Sequence, residues 1–551
     1  MDLKMKNDVL KKLGLSTQFS LNVNLVVILL ASYFAIVLNH PIIQKVYQLS
    51  AYDLPLYLIS HLLLICAFVI IFTLLAWPYL FKIIVIPLIL TSALAFYASA
   101  TYNIMFDYTM MENIFETNSG EAFSYLNLSA VLFFILLGVI PAFLLLKVKL
   151  TYNNSVLKTL FLKAALLIGM VSIIALIAVF YYKDYASIGR NNSYLNKMIN
   201  PAHVYNTFKY VKKNYLNKPI AYSKLGQDAK LVPATNNKPT LMVFVVGETA
   251  RAQNIAYNGY TRNTNPYTQK MGIISFQHVT TCGTATAVSL PCLFSNMSRS
   301  EYKKERAINQ DNVLDVLTYA GVQVKWLDND GGDKKVAQNL VKLEVNKADN
   351  SDLCNKHSCY DQVLLRQLPT LIEQEPQQNK LFALHLIGSH GPTYYQRYPQ
   401  DKALFKPTCE RSDIENCSDQ EIVNVYDNTI AYTDFILAET ITMLKQYQDT
   451  YNVALFYLSD HGESLGENGL YLHGTPYVVA PDEQTHVPWF MWATDDYFTN
   501  QGINKNCLEK RAHNDAVSHD NLFHTLLGFY GVSTKQKQSA LDITNTCKVS
   551  T

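Results

Sequence analysis

Long unbroken apolar runs fill the first third of the chain, and short apolar runs separated by helical periodicity and polar loops fill the rest. Crossing a bilayer takes roughly 20 apolar residues in a helix. Five runs approach or reach that length: Leu21–Leu38, Leu54–Leu75, Ile83–Tyr102, Leu128–Leu146 and Ala164–Tyr181. A cleaved leader is a poor reading of the first, because no small-residue cleavage site follows it and four more runs do. Five membrane spans are therefore expected. Beyond them, "PTLMVFVVGET", "KLFALHLIGSHG" and "NVALFYLSDHGES" each hold a continuous apolar run of strand length, Leu241–Val246, Leu381–Ile387 and Val453–Leu458. Strands apolar on both faces belong in a parallel sheet covered on both sides. With helical stretches between them, such as Gln420 to Tyr447, they predict an α/β domain.

The boundaries follow: a transmembrane domain over 1–182, a linker over 183–238 and an α/β domain over 239–551. Within the linker, Asn200-Pro201 reads as an N-cap followed by Pro in the first helical turn. The helix after it groups Val204, Phe208, Val211 and Tyr215 near one face, with Lys209, Lys212 and Lys213 elsewhere. That pattern suits a helix lying on a membrane surface or an amphipathic connector packed on the domain.

Charge gives the orientation. Lys4, Lys6, Lys11 and Lys12 precede the first run, Lys82 lies between the second and third, and Lys147, Lys149, Lys158 and Lys163 crowd the link between the fourth and fifth. The loop from Asn103 to Asn127 has no Lys or Arg and carries Asp107, Glu112, Glu116 and Glu121. Positive charge is retained on the cytoplasmic side, so the N-terminus is expected there and everything after Tyr182 outside. The net charge of +2 supplies no field that would gather nucleic acid.

Cysteine usage agrees. Of nine cysteines, Cys66 lies within a span and the others all follow on the expected outside. They fall as Cys282/Cys292, Cys354/Cys359 and Cys409/Cys417, leaving Cys507 and Cys547. No Cys-x-x-Cys pair suggests a zinc knuckle, so disulfides in an oxidising compartment are expected, in a bacterium the periplasm.

Three strand ends run into potential ligands: Glu248 after the first, Asp460 and His461 after the last, and His390 after the one between. Ligands of open α/β sheets gather beyond the carboxyl ends of the strands, so these four can converge. Carboxylate with imidazole suits zinc better than magnesium. The bland loop "CGTATAVSLPC", bracketed by Cys282 and Cys292, supplies hydroxyls. A threonine hydroxyl is a weak nucleophile until a base or metal activates it. Thr284 and Thr286 both qualify by spacing.

The stretches "VVGETARAQNIAYNGYTRNTNP", "TTCGTATAVSLPCLFS", "IGSHGPTYYQRYP" and "YLSDHGESLGENGLYLHG" resemble the lipid A phosphoethanolamine transferases, the family of the EptA and mobile colistin resistance enzymes. The resemblance runs over essentially the whole chain and implies five spans, a linker and a periplasmic domain of alkaline-phosphatase/sulfatase-like type. It implies Thr286 as the nucleophile, and Glu248, Asp460 and His461 with the Thr286 oxygen as ligands of one firmly bound Zn2+, with a second zinc ion during turnover. By the same resemblance His390 and His473 lie near the phosphoryl group or a second metal and serve catalysis. Asn113 and Glu121 of "MMENIFETNSGEA" help bind lipid, and Asp328 and Lys334 lie near the substrate. The implied donor is phosphatidylethanolamine, the acceptor a phosphate of lipid A, and the protein a monomer of the bacterial inner membrane. A glycerophosphate transferase that builds lipoteichoic acid shares this fold, but its disulfides are few. A sulfatase would need a Cys/Ser-x-Pro-x-Arg signature, and "CGTATAVSLP" lacks the arginine.

Overall fold

The computed structural model describes residues 19–549 apart from 118–121, 123–124, 154, 219, 233–237 and 356–357. Glu121 and the four lysines near the N-terminus lie outside the described residues. The chain divides into two compact units, one of 1–108 with 126–211 and one of 109–125 with 212–551.

In the first unit the helices Leu54–Leu75, Leu80–Tyr102, Leu128–Lys147 and Val156–Asn191 are each long and apolar enough to cross a membrane. The expected first span is one arm of a bent pair, Val23–Leu38 and His40–Leu49, which meet at 57°. Asn39 makes the break. Its backbone leaves the helical region, and Pro41 stands in the first turn of the following helix, where its missing N–H costs nothing. The Asn39 amide then covers what the break exposes, donating to the Phe34 carbonyl at 2.9 Å and to the Asn200 carbonyl at 2.8 Å. In return Asn39 Oδ1 accepts the Asn200 N–H at 2.8 Å.

Asn200 therefore does not cap the helix after it, contrary to the reading of Asn200-Pro201. Its amide donates to Ser92 at 2.7 Å, and its Oδ1 has no hydrogen-bond partner among the described residues. The helix Ala202–Val211 buries His203 and Tyr210 and leaves Val204, Phe208 and Val211 exposed. Val156–Asn191 has 36 residues, about 54 Å of helix, so it continues well past a core of about 30 Å.

The second unit is built on a seven-stranded sheet. In chain order its strands are β1 (Thr240–Gly247), β2 (Ile274–Phe276), β3 (Gln323–Asp328), β4 (Val341–Glu344), β5 (Lys380–His385), β6 (Asn452–Ser459) and β7 (Trp489–Ala493). They lie in the order β2-β7-β6-β1-β5-β3-β4. The five strands from β6 to β4 are parallel, and β7 and β2 form an antiparallel edge. Every residue of β1, β5 and β6 is buried, as their continuous apolar runs require. The helix expected from Gln420 to Tyr447 spans Asp419–Lys445, started by a capping box between Ser418 and Glu421.

Register is what positions chemistry. Ser459 of β6 lies opposite Gly247 of β1, so Asp460 and Glu248 leave the sheet side by side. His385 of β5 lies opposite both Val246 and Asp328, which brings a third and a fourth strand end to the same rim.

Candidate active site

Glu248, Thr286, Asp460 and His461 are all buried and converge at that rim. One ligand atom from each of Glu248, Asp460 and His461 lies within 4.8 Å of the others. His461 Nε2 is 3.3 Å from Asp460 Oδ2 and 3.5 Å from Glu248 Oε1. Thr286 Oγ1 sits 3.3 Å from His461 Nε2 and 3.3 and 3.4 Å from the two Glu248 oxygens.

Local structure holds these groups rigidly. Immediately after Glu248, Thr249 adopts φ +53°, a left-handed conformation unusual for a β-branched residue. It is clamped there: its carbonyl accepts the Tyr426 hydroxyl at 2.7 Å, and its N–H donates to Asp460 Oδ1 at 3.3 Å. Gly388, at φ +49°, passes so close behind that a Cβ there would meet the Glu248 carbonyl at 2.7 Å.

Thr286 opens the helix Thr286–Leu293, and its N-cap residue Ala285 offers no capping side chain. The N-cap thus supplies no side-chain acceptor at the helix end that carries Thr286, a suitable seat for an anion. Ser289, one turn on, donates its hydroxyl to the Asp460 carbonyl and ties the helix to β6. The Cys282–Cys292 disulfide closes the loop before Thr286 onto the end of this helix. Thr284 points elsewhere: its hydroxyl donates to the Thr475 carbonyl at 2.6 Å. Geometry separates the two threonines that spacing left open.

The donor set fits a cation. Burial lowers the His461 pKa to about 4, and Nδ1 donates to the Gly462 carbonyl at 2.9 Å, so a neutral ring turns its Nε2 lone pair toward two carboxylates. Asp460 Oδ1 accepts two backbone N–H groups, from His461 at 2.7 Å and from Thr249. Asp460 Oδ2 has no hydrogen-bond partner among the described residues. A buried carboxylate oxygen and an imidazole lone pair aimed at each other are costly unless something positive sits between them.

His473 and His390 flank this group, with ring centroids 4.5 Å from His461 to His473 and 5.4 Å from His473 to His390. His473 Nδ1 donates to Glu463 Oε2 at 2.8 Å, and Glu463 Oε1 accepts the Tyr394 hydroxyl at 2.6 Å. Burial, and then the Glu463 charge, push the Tyr394 phenol far up, so it stays a donor. This pair of hydrogen bonds fixes the His473 tautomer and directs Nε2 as the ring's other functional nitrogen.

Two relatives and one solved structure decide the family. EptA of Escherichia coli K12, called a phosphoethanolamine transferase, is 39% identical over 96% of this chain and 98% of its own. Mcr-1 of Escherichia coli, called a phosphatidylethanolamine transferase, is 36% identical over 79% of this chain and 84% of its own. The integral membrane protein lipooligosaccharide phosphoethanolamine transferase A (EptA) from Neisseria meningitidis superposes with a TM-score of 0.93 at 33% identity, over 97% of this chain and all of that one. The chain belongs to the EptA family of phosphoethanolamine transferases. Family descriptions agree by region: Phosphoethanolamine transferase EptA/EptB matches residues 64–215, and Sulfatase matches 240–532. It is thus a multi-pass membrane phosphoethanolamine transferase with a sulfatase-like domain, as the sequence motifs implied.

The remaining expected residues are placed as follows. Four disulfides form: Cys282–Cys292, Cys354–Cys359, Cys409–Cys417 and Cys507–Cys547. Lys334, at φ +43°, donates from Nζ to the Glu116 carbonyl at 3.2 Å, and Asn113 lies half-buried on the helix Tyr108–Glu116. Lys304 reaches the same helix, 3.4 Å from Glu112 and 3.0 Å from Glu116. Asp328 turns inward: Oδ2 meets His385 Nδ1 at 3.1 Å and Trp326 Nε1 at 2.9 Å, and Oδ1 accepts N–H groups of Asp330, Gly331 and Gly332.

Sequence reasoning missed Glu463, Tyr394, His385 and His519. Glu463 alone had a signal, two residues after His461 in "DHGES". His519 accepts the Cys282 N–H at Nδ1, 3.2 Å away, and donates from Nε2 to the Ser459 carbonyl at 3.0 Å. Accepting at Nδ1 requires a neutral ring, and burial brings its pKa down to about 4. Between that value and the ordinary value of about 6.5, the unfolded chain binds a proton that the folded chain refuses. The stability that this neutral ring contributes is therefore fully present above about pH 6.5, and on the order of 3 kcal/mol of it is lost as pH falls toward 4. His519→Gln should melt below the wild type at pH 7, with the gap narrowing at pH 5. Thermal melts at both pH values check this, and a gap that stays constant removes the titration from the account.

Proposed function

We propose that this transferase moves phosphoethanolamine from phosphatidylethanolamine to a phosphate of lipid A through a covalent intermediate on Thr286. The observation that carries the proposal is the Thr286 hydroxyl, first in an uncapped helix and 3.3 Å from both Glu248 and His461. Donor and acceptor are supported by the names of the relatives: Mcr-1 is called a phosphatidylethanolamine transferase, and the Neisseria meningitidis enzyme is named for lipooligosaccharide.

In the first half-reaction Thr286 Oγ attacks phosphorus, its proton passes to the adjoining carboxylate of Glu248, and the bond to the diacylglycerol oxygen breaks. The departing alkoxide takes a proton from His473 or His390. In the second half a lipid A phosphate oxygen gives its proton to that histidine and attacks the same phosphorus, Thr286 Oγ leaves, and the proton held by Glu248 returns to it. First-turn N–H groups of the helix Thr286–Leu293 receive charge on the phosphoryl oxygens. A zinc ion held by Glu248, Asp460 and His461, with Thr286 at its edge, would lower the hydroxyl's pKa and offset phosphoryl charge.

The catalytic unit is assigned to the periplasmic side of a bacterial inner membrane, with the N-terminus cytoplasmic. Lysine placement and four disulfides support that orientation. Adding an amine to an anionic lipid weakens its attraction for cationic peptides such as polymyxins. Mass spectrometry of lipid A from cells with and without the protein tests the reaction. One added phosphoethanolamine unit is expected, and unchanged lipid A with the protein present and folded refutes the acceptor.

The helix that carries Asn113 belongs to the catalytic unit, where Lys304 pins its Glu112 and Glu116. If that segment handles lipid and takes no part in the chemistry, Lys304→Ala should lower transfer from phosphatidylethanolamine several-fold. Cleavage of a small soluble phosphoethanolamine ester should stay near wild type. Parallel rate assays on the two substrates decide it, and equal losses would assign Lys304 to the catalytic site instead.

A further inference from the structure

A second group of ligand-type atoms also includes Glu248. One atom each from Glu248, Asp330 and His385 lies within 4.8 Å of the others. We propose that these three residues form a second divalent-cation site that shares the Glu248 carboxylate with the Asp460–His461 group.

The argument rests on how His385 is held. Its ring is fully buried at the end of β5, and Nδ1 faces Asp328 Oδ2 at 3.1 Å. That oxygen also takes the Trp326 indole N–H, and the other takes three backbone N–H groups, which makes the Asp328 carboxylate a fixed acceptor. Nδ1 therefore carries a proton, and Nε2 faces Asp330. Among the described residues Nε2 has no hydrogen-bond partner. Asp330 Oδ2 is 3.7 Å away, beyond hydrogen-bond length even if the nitrogen carried a proton. A cation between them satisfies the nitrogen.

A carboxylate that anchors one nitrogen while the other faces the ion is the usual support of a metal-ligating histidine. One imidazole and two carboxylates suit Zn2+ or Mn2+. Ligands each about 2.1 Å from an ion stand at most about 4.2 Å apart, so the group needs to contract by only some tenths of an ångström. Register explains the convergence: His385 lies opposite both Val246 and Asp328, which places Glu248 and Asp330 just beyond the same rim. An ion here would anchor the carboxylate that touches Thr286 and add positive charge beside the phosphoryl seat.

The inference rests on the placement of Glu248 and not on the identity of either lipid, and ion counts keep the two metal groups apart. Full-length protein in detergent is stripped with a chelator, re-equilibrated with Zn2+ or Mn2+, desalted, and counted by elemental mass spectrometry. Two ions per chain are expected for wild type, one for Asp330→Asn and one for Asp460→Asn. A wild-type count of one that Asp330→Asn keeps and Asp460→Asn loses overturns the second site and leaves the proposed reaction standing. Two ions retained by Asp330→Asn place the second elsewhere and also overturn it. A wild-type count of one that Asp460→Asn keeps and Asp330→Asn loses upholds this site and removes the first. Should Asp330→Asn melt early, His385→Gln is counted in its place with the same expectations.

Discussion

Thr286→Ala should leave no measurable transfer, a loss of at least about a thousandfold, or about 4 kcal/mol of barrier. Its hydroxyl lies 3.3 Å from both Glu248 and His461, whereas the helix's other hydroxyl, on Ser289, donates to the Asp460 carbonyl. Loss of one hydroxyl at the first turn leaves the helix, its disulfide and the metal-binding side chains in place. Thr284→Ala is the control. Its hydroxyl serves the Thr475 carbonyl, so its removal costs about 1 kcal/mol of local stability and little rate. Diacylglycerol release from phosphatidylethanolamine by purified full-length protein measures both. An active Thr286→Ala beside an inactive Thr284→Ala would reverse the assignment.

Asp460→Asn should be nearly as damaging to rate, again about a thousandfold, and should abolish metal binding at the Glu248–Asp460–His461 group. An amide oxygen can still accept the His461 and Thr249 N–H groups at the Oδ1 position. What disappears is the charge on Oδ2, the oxygen with no hydrogen-bond partner, 3.3 Å from the His461 lone pair. Stability and function should therefore part. Without metal, the variant should melt at or above the metal-free wild type, because a buried, uncompensated carboxylate is gone. Melting curves with chelator, alongside rates with added zinc, check both halves. A metal-free variant that melts well below wild type would mean Asp460 holds the fold rather than a cation.

The fold was legible where burial is uniform. The runs Leu241–Val246 and Val453–Leu458 are apolar without alternation, and they became the central parallel pair of the sheet. Glu248, Asp460, His461 and Thr286 were legible because each follows a strand end or sits in a braced loop, where sequence position nearly determines spatial position. Less was visible where one side chain serves a distant backbone. Asn39 and Asn200 are 161 residues apart, and the Asn39 side chain exchanges two hydrogen bonds with the Asn200 backbone, so Pro41 marks the break locally but nothing local shows what holds it. His519 joins the Cys282 N–H to the Ser459 carbonyl from a segment with no motif of its own. His385 hides inside an apolar run, and only the register of β5 against β1 and β3 reveals what it faces.

The central claim is a phosphoethanolamine group carried on Thr286, and peptide mass spectrometry tests it most directly. Full-length protein is incubated with phosphatidylethanolamine in the absence of acceptor, quenched and digested, and the peptide spanning Cys282 to Cys292 is sequenced after reduction. The account predicts one phosphoethanolamine on Thr286, discharged when lipid A is added before the quench. An unmodified peptide from protein that still transfers to lipid A, or a modification on Thr284 or Ser289, would contradict it.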